Sequence, residues 1–172
     1  YPSPHYSWSA YNVWVNKGPQ EFSRIYIYGE GEKENPAMQL GKRLDEIIDN
    51  DEEQENEVLE HLRIYWPKYQ HKQYEINTTF SGIKLKGFLD GFNPPPSPIC
   101  GERKTGRLWT QALADKTEQL DWYALLIHLA FKIPPEQIRF VLTWARTEWE
   151  VGNIVQPTGE IQNFETKRTT KD

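Results

Sequence analysis

Residues 83–107 leave few folding options. A strand-like run, Ile83-Lys84-Leu85-Lys86-Gly87-Phe88-Leu89-Asp90-Gly91-Phe92, meets Asn93-Pro94-Pro95-Pro96-Ser97-Pro98, and a second apolar and charged run follows over 99–107. Proline has no N–H to give to a sheet ladder, so the proline segment must be a connection. The two runs are therefore expected to pair as a hairpin across a stiff turn. Side chains alternate along a strand, so Glu102 and Lys104 share one face while Arg103 points to the other. Asp90 stands near the end of the first strand.

This pattern gathers two carboxylates and an ammonium. Carboxylate oxygens hold hard divalent cations. Such a cation lowers the pKa of a bound water and stabilises charge on a phosphate, and a lysine can orient that water or neutralise the transition state. The bland alternative makes Asp90 a turn residue and Glu102 with Lys104 an exposed pair, since charged residues are 26% of the chain.

The remaining elements follow from periodicity and caps. Residues 7–28 read as helix with Ser7 as cap, interrupted at Gly18-Pro19, with a short second helix over 21–28. Asn35-Pro36 suits a helix start, asparagine as cap and proline in the first turn. Leu40, Leu44, Ile47 and Ile48 form its apolar stripe. Asp45 lies at that stripe's edge beside Gly41, and wheel position favours it over Glu46 as the inward acid. The acidic run 49–57 reads as a solvated helix end or loop. A helix over 58–65 ends at Trp66-Pro67. Strands are expected over 69–80 and 83–92, joined through Ser81-Gly82, and a third over 99–107. A single long helix is expected over 111–132, stopped by Ile133-Pro134-Pro135. A β-branched and aromatic strand over 138–149 and an edge strand over 159–166 complete the order. Length fits one domain over 1–172. The first residue is Tyr1, not Met, so a native start upstream is expected.

Composition narrows the function. A net charge of −5 argues against a broad, non-specific nucleic-acid surface, though a metal site is itself a cluster of acids. One cysteine, Cys100, excludes an internal disulfide framework and fits a reducing compartment. No apolar run has the length of a membrane span and no signal-peptide pattern is present, so a cytoplasmic location is expected. The histidines, His5, His61, His71 and His128, lack metal-ligand spacing, and His128 reads as a satisfied core or boundary residue. There is no Gly-rich phosphate loop and no Gly-x-Ser-x-Gly. Cys100 lies two residues before Glu102, hence on its strand face. Some of the seven Trp and nine Tyr could stack on bases.

In order along the chain, five segments resemble the PD-(D/E)xK nucleases, and within them the RecB-type exonuclease group, including CRISPR-associated RecB-like members. Ser7-Trp8-Ser9-Ala10-Tyr11 through Gly18-Pro19-Gln20-Glu21-Phe22 is similar to the group's opening segment. Gly41 to Glu46 resembles its G-x-x-apolar-H helix, with Asp45 at the histidine position. Gly87-x-x-Asp90 and Glu102-x-Lys104-Thr105-Gly106 resemble the G-x-x-D and E-x-K-T-G core. Gln119-x-x-x-Tyr123 matches the Q-x-x-x-Y helix.

The resemblance implies an α/β fold with a restriction-endonuclease-like mixed central sheet flanked by helices. It implies Mg²⁺- or Mn²⁺-dependent hydrolysis of DNA phosphodiesters leaving a 5′-phosphate, in recombination, repair or processing. Asp90, Glu102, Lys104, Gln119 and Tyr123 would form the catalytic set. Asp45, Asp90, Glu102 and the main-chain carbonyl of Arg103 would hold the metal, with the Arg103 side chain outside that site. Arg107, Trp109, Thr110 and Lys116 are candidate DNA contacts. Iron–sulfur members carry a cysteine where this chain has Lys17-Gly18-Pro19; four thiolates are needed for such a cluster, so none is expected. DNA is the expected partner, with a recombination or replication protein as a further one, and a phage or mobile-element origin would suit a small stand-alone domain. Two other classes stay open: a non-catalytic nucleic-acid-binding module within a larger assembly, and an endonuclease or ribonuclease.

Overall fold

The computed structural model describes residues 5–31 and 34–170. Its centre is a six-stranded mixed sheet. A short strand β1 (Tyr6–Ser7) leads into helix α1 (Trp8–Phe22), where the Ser7 hydroxyl accepts the Ala10 N–H at 3.3 Å. The expected break falls at Gly18, whose φ of 86° only glycine adopts freely, with Pro19 next to it. One wide π-type turn, Ser23–Ile27, follows.

Helix α2 (Pro36–Asn50) starts as read: the Asn35 side chain accepts the Met38 N–H at 2.9 Å and Pro36 fills the first turn. Helix α3 (Glu57–Tyr65) is capped by Asn56. The acidic run between and around them is more than a solvated loop. Asp51 bonds Arg63 at 2.9 Å and Lys68 at 2.7 Å, and Asp49 bonds Arg103 at 2.6 Å.

Strands β2 (His71–Phe80) and β3 (Ile83–Asn93) form an antiparallel hairpin through Ser81 and Gly82, with φ of 48° and 81°. Both central residues at positive φ match the twist of a two-residue hairpin. Strand β4 (Ile99–Gly106) returns after the prolines, antiparallel to β3 as expected, but the ladder runs only through Gly91↔Gly101, Phe92↔Cys100 and Asn93↔Ile99. Along its whole length, from Ile99 to Gly106, β4 pairs in parallel with β5 (Arg139–Glu150), while beyond Gly101 it leaves β3, whose Leu85 and Lys86 pair instead with β1. The sheet is thus forked between β3 and β4. Strand β6 (Ile154–Thr166) is antiparallel to β5 and forms the sheet edge. It begins five residues earlier than expected, because Gly152 and Asn153 at positive φ close a tight turn and extend the hairpin.

The expected long helix is two helices: α4 (Gln111–Asp115) and α5 (Glu118–Phe131). The break at Lys116-Thr117 is held by side chains. Thr117 Oγ1 donates to the Leu113 carbonyl at 2.9 Å, and Arg168 Nη2 donates to the carbonyls of Ala114 and Thr117 at 3.2 Å each. Leu113, on the short α4, is exposed.

The main core lies between α5 and the sheet, where Leu120, Tyr123, Leu126 and Ile127 meet Leu89, Phe92, Phe140 and Leu142. Full burial of a Leu or Ile contributes about 1.5–3 kcal/mol, so this face anchors α5 and what it carries. A smaller core on the other face joins Leu44, Ile47 and Ile48 of α2 to Leu59, Leu62 and Trp66. Among the described residues no helix is long and apolar enough to cross a membrane.

Candidate active site

The fork is where the predicted residues meet. Asp90 comes from β3 just before its ladder with β4, and Glu102 from β4 just after that ladder opens. The Oδ2 of Asp90 accepts the main-chain N–H of Arg103 at 2.8 Å, which ties the two strands where they part. Its Oδ1 is 3.4 Å from Gln73 Nε2.

β4 alternates as read. Cys100, Glu102 and Lys104 face α5, while Arg103 faces α2. Glu102 is 2% exposed. Its Oε1 accepts from Lys104 Nζ at 2.5 Å, and its Oε2 is buried without a hydrogen-bond partner. Lys104 Nζ also donates to Gln119 Oε1 at 2.7 Å, and Gln119 Nε2 donates to the Tyr123 hydroxyl at 2.7 Å. One relay therefore runs from Tyr123 through Gln119 and Lys104 to Glu102. The i, i+4 spacing of Gln119 and Tyr123 on α5 sets both over β4.

Electrostatics mark the same place. Burial, then the charge of Asp90, pushes the Glu102 carboxyl up to about 8 against the pull of Lys104. Burial, with Glu102 and Asp90 nearby, also pushes the Tyr123 phenol up. At neutral pH the metal-free Glu102 is therefore largely protonated, and a cation beside it would favour its ionised form.

The other predicted residues are placed differently. Asp45 is on α2, bonded to Arg103 Nη1 at 3.3 Å, and burial followed by the Asp90 charge raises its carboxyl to about 6. The Arg103 side chain is on the face opposite Glu102, as alternation predicts, yet it contacts the very acid expected to complete the metal site. Arg107 and Lys116 are exposed. Trp109 packs partly against the main core, and the Thr110 hydroxyl caps α4 by accepting the Leu113 N–H at 3.3 Å. His128 is satisfied, with Nδ1 3.0 Å from the Ile133 carbonyl.

Two site residues escaped the sequence reading. Asp49, one turn beyond Asp45 on α2, is the stronger Arg103 partner, and its i, i+4 spacing was the available signal. Gln73 stands opposite Asp90, and the register set by Phe80↔Ile83 across the Ser81-Gly82 turn places it there.

Among the described residues no three His, Cys, Asp or Glu side chains converge as a metal-holding group. Asp90 and Glu102 bring carboxylate oxygens to the fork, and Asp45 stands across from them on α2, bonded to Arg103. This set suits a hard cation, and the orphaned Glu102 Oε2 is the atom such an ion would satisfy. A cavity of about 530 Å³ lies elsewhere, against the outer side of α5 between Trp8, Trp122 and Arg168, and neither Asp90, Glu102 nor Lys104 lines it.

Fold and fork together define an α/β protein with a mixed sheet and an acid–lysine cluster where two strands separate. No protein-family profile matches the chain, and no curated protein matches it significantly. Among solved structures, the chain is similar to the crystal structure of the "Putative exonuclease" from Eubacterium rectale, with a TM-score of 0.62 at 13% identity, over 98% of this chain and 74% of that one. At that identity the likeness establishes the shared fold, in agreement with the restriction-endonuclease-like architecture expected.

Proposed function

We propose that this chain is a Mg²⁺- or Mn²⁺-dependent deoxyribonuclease of the PD-(D/E)xK type, acting as an exonuclease. The observation that carries this reading is the buried Glu102 oxygen left unpartnered beside Asp90 and Lys104 at the fork. The fold shared with a protein named as an exonuclease supports it.

Asp90, Glu102 and the Arg103 carbonyl would hold the divalent ion. When bound, the ion supplies charge stabilisation for the phosphate and acidifies a water. Lys104 positions the attacking water and offsets the charge that develops on the phosphate oxygens. Gln119 fixes the Lys104 ammonium, and Tyr123 fixes Gln119. In-line attack forms the new P–O bond as the P–O3′ bond breaks, leaving a 5′-phosphate on one fragment and a 3′-hydroxyl on the other. Exposed Arg107 and Lys116 would meet the DNA backbone.

A second reading, a binding module without catalysis, draws on the absence of a third converging acid among the described residues. End-labelled single- and double-stranded DNA, linear and circular, separates the two. Metal-dependent loss of linear DNA with circles spared supports the exonuclease, cleavage of circles makes it an endonuclease, and binding without cleavage in either metal supports the module.

A further inference from the structure

The two sides of the fork differ in charge balance. On the α2 side, Asp45 and Asp49 both face the Arg103 guanidinium, at 3.3 and 2.6 Å. The Lys72 ammonium donates to the carbonyls of Ile48 and Asp49 at 2.9 Å each, adding a second cation there. Two acids meet two cations. On the α5 side, Glu102 is bonded to Lys104, Asp90 adds a second negative charge, and a buried Glu102 oxygen has no partner. Asp90 lies between the two sides, and the Glu102 side has only Lys104 to set against it.

Arg103 is built into this position. Its side chain is 6% exposed. Nη2 also donates to the main-chain oxygen of Asp90 at 3.3 Å, while the Arg103 N–H binds the Asp90 carboxylate. A guanidinium stays charged at any relevant pH, and its planar fork suits two carboxylates one helical turn apart. The guanidinium therefore lies between the Asp45 carboxylate and the Asp90 main chain.

Resting on the nuclease reading, we infer that Arg103 is a fixed internal cation that neutralises Asp45 and Asp49 in place of a second metal ion. The site then takes a single divalent ion, on the Glu102 side. Arg103 is a positioning residue: it sets the Asp90 main chain and keeps Asp45 from serving as a ligand.

The test is Mn²⁺ titration of the full chain, followed by the electron paramagnetic resonance signal of free Mn²⁺, with circular dichroism as a fold check. Wild type is expected to bind one equivalent. Asp45→Asn is expected to bind one equivalent with its Kd changed by less than about tenfold, the lower bound for losing a group that orients a ligand. Arg103→Met, with Asp45 and Asp49 released, is expected to bind a second equivalent. Two equivalents in wild type, a larger loss in Asp45→Asn, or one equivalent in a folded Arg103→Met would each overturn the inference. If Arg103→Met does not fold, the wild-type and Asp45→Asn arms still decide. No Mn²⁺ bound to wild type would instead sink the nuclease reading, and this inference with it.

Discussion

Asp90 and Arg103 hold each other through main chain and side chain in both directions. The Asp90 carboxylate accepts the Arg103 N–H at 2.8 Å, and the Arg103 guanidinium donates to the Asp90 carbonyl at 3.3 Å. This reciprocal clamp sits where β3 and β4 part company. It converts a three-pair ladder into a rigid fork whose inner faces present Glu102 to α5 and Arg103 to α2.

Metal-free stability should fall as pH rises. The Glu102 carboxyl is raised in the folded state to about 8 by burial and by Asp90, against about 4.3 unfolded. Between those values the folded protein binds more protons than the unfolded chain, so stability is greatest below the lower value and is lost as pH climbs through the upper one. Asp45, raised to about 6, acts in the same direction. Thermal unfolding in EDTA at pH 6 and pH 8 should give the lower Tm at pH 8. Glu102→Gln should flatten most of that difference, and Mn²⁺ at pH 8 should recover Tm in wild type only.

Gly91→Ala should destabilise the fork. A Cβ at Gly91 would lie 2.1 Å from the Tyr69 ring, which also covers Gly101 across the ladder. An aromatic ring cannot bend aside, so β3 or Tyr69 must move, at about 1–3 kcal/mol for overpacking. Denaturant unfolding measures this cost, and an unchanged midpoint would mean that Tyr69 does not pack there.

The candidate DNA contacts should separate by readout. Thr110→Ala removes an N-cap and should cost about 1 kcal/mol of stability. Arg107→Ala and Lys116→Ala, both exposed, should leave stability unchanged while weakening DNA binding and reducing its salt dependence by about one phosphate contact each. Binding isotherms across a salt series, beside melting curves, check both halves.

What could be read ahead was local. Strand alternation put Glu102 and Lys104 on one face, the prolines located the connection, and Asn35 and Ser7 announced their helices. What stayed hidden depended on distant partners. The break between α4 and α5 is held by Arg168, 51 residues beyond Thr117. Arg103 looked like a bystander because its partners Asp45 and Asp49 lie 58 and 54 residues away. Alternation tells which way a side chain points and says nothing of what waits there.

Cleavage by Lys104→Ala decides whether the acid–lysine cluster at the fork is catalytic. Lys104 links Glu102 to Gln119 and is partly exposed, so its removal should leave the fold intact. Time courses on end-labelled linear DNA in Mg²⁺ and Mn²⁺ should show metal-dependent loss in wild type and a fall of about 10²–10³-fold in the variant, as expected for deleting a preorganised charge at a transition state. Equal rates in the two proteins, or wild-type cleavage that persists in EDTA, would contradict the account.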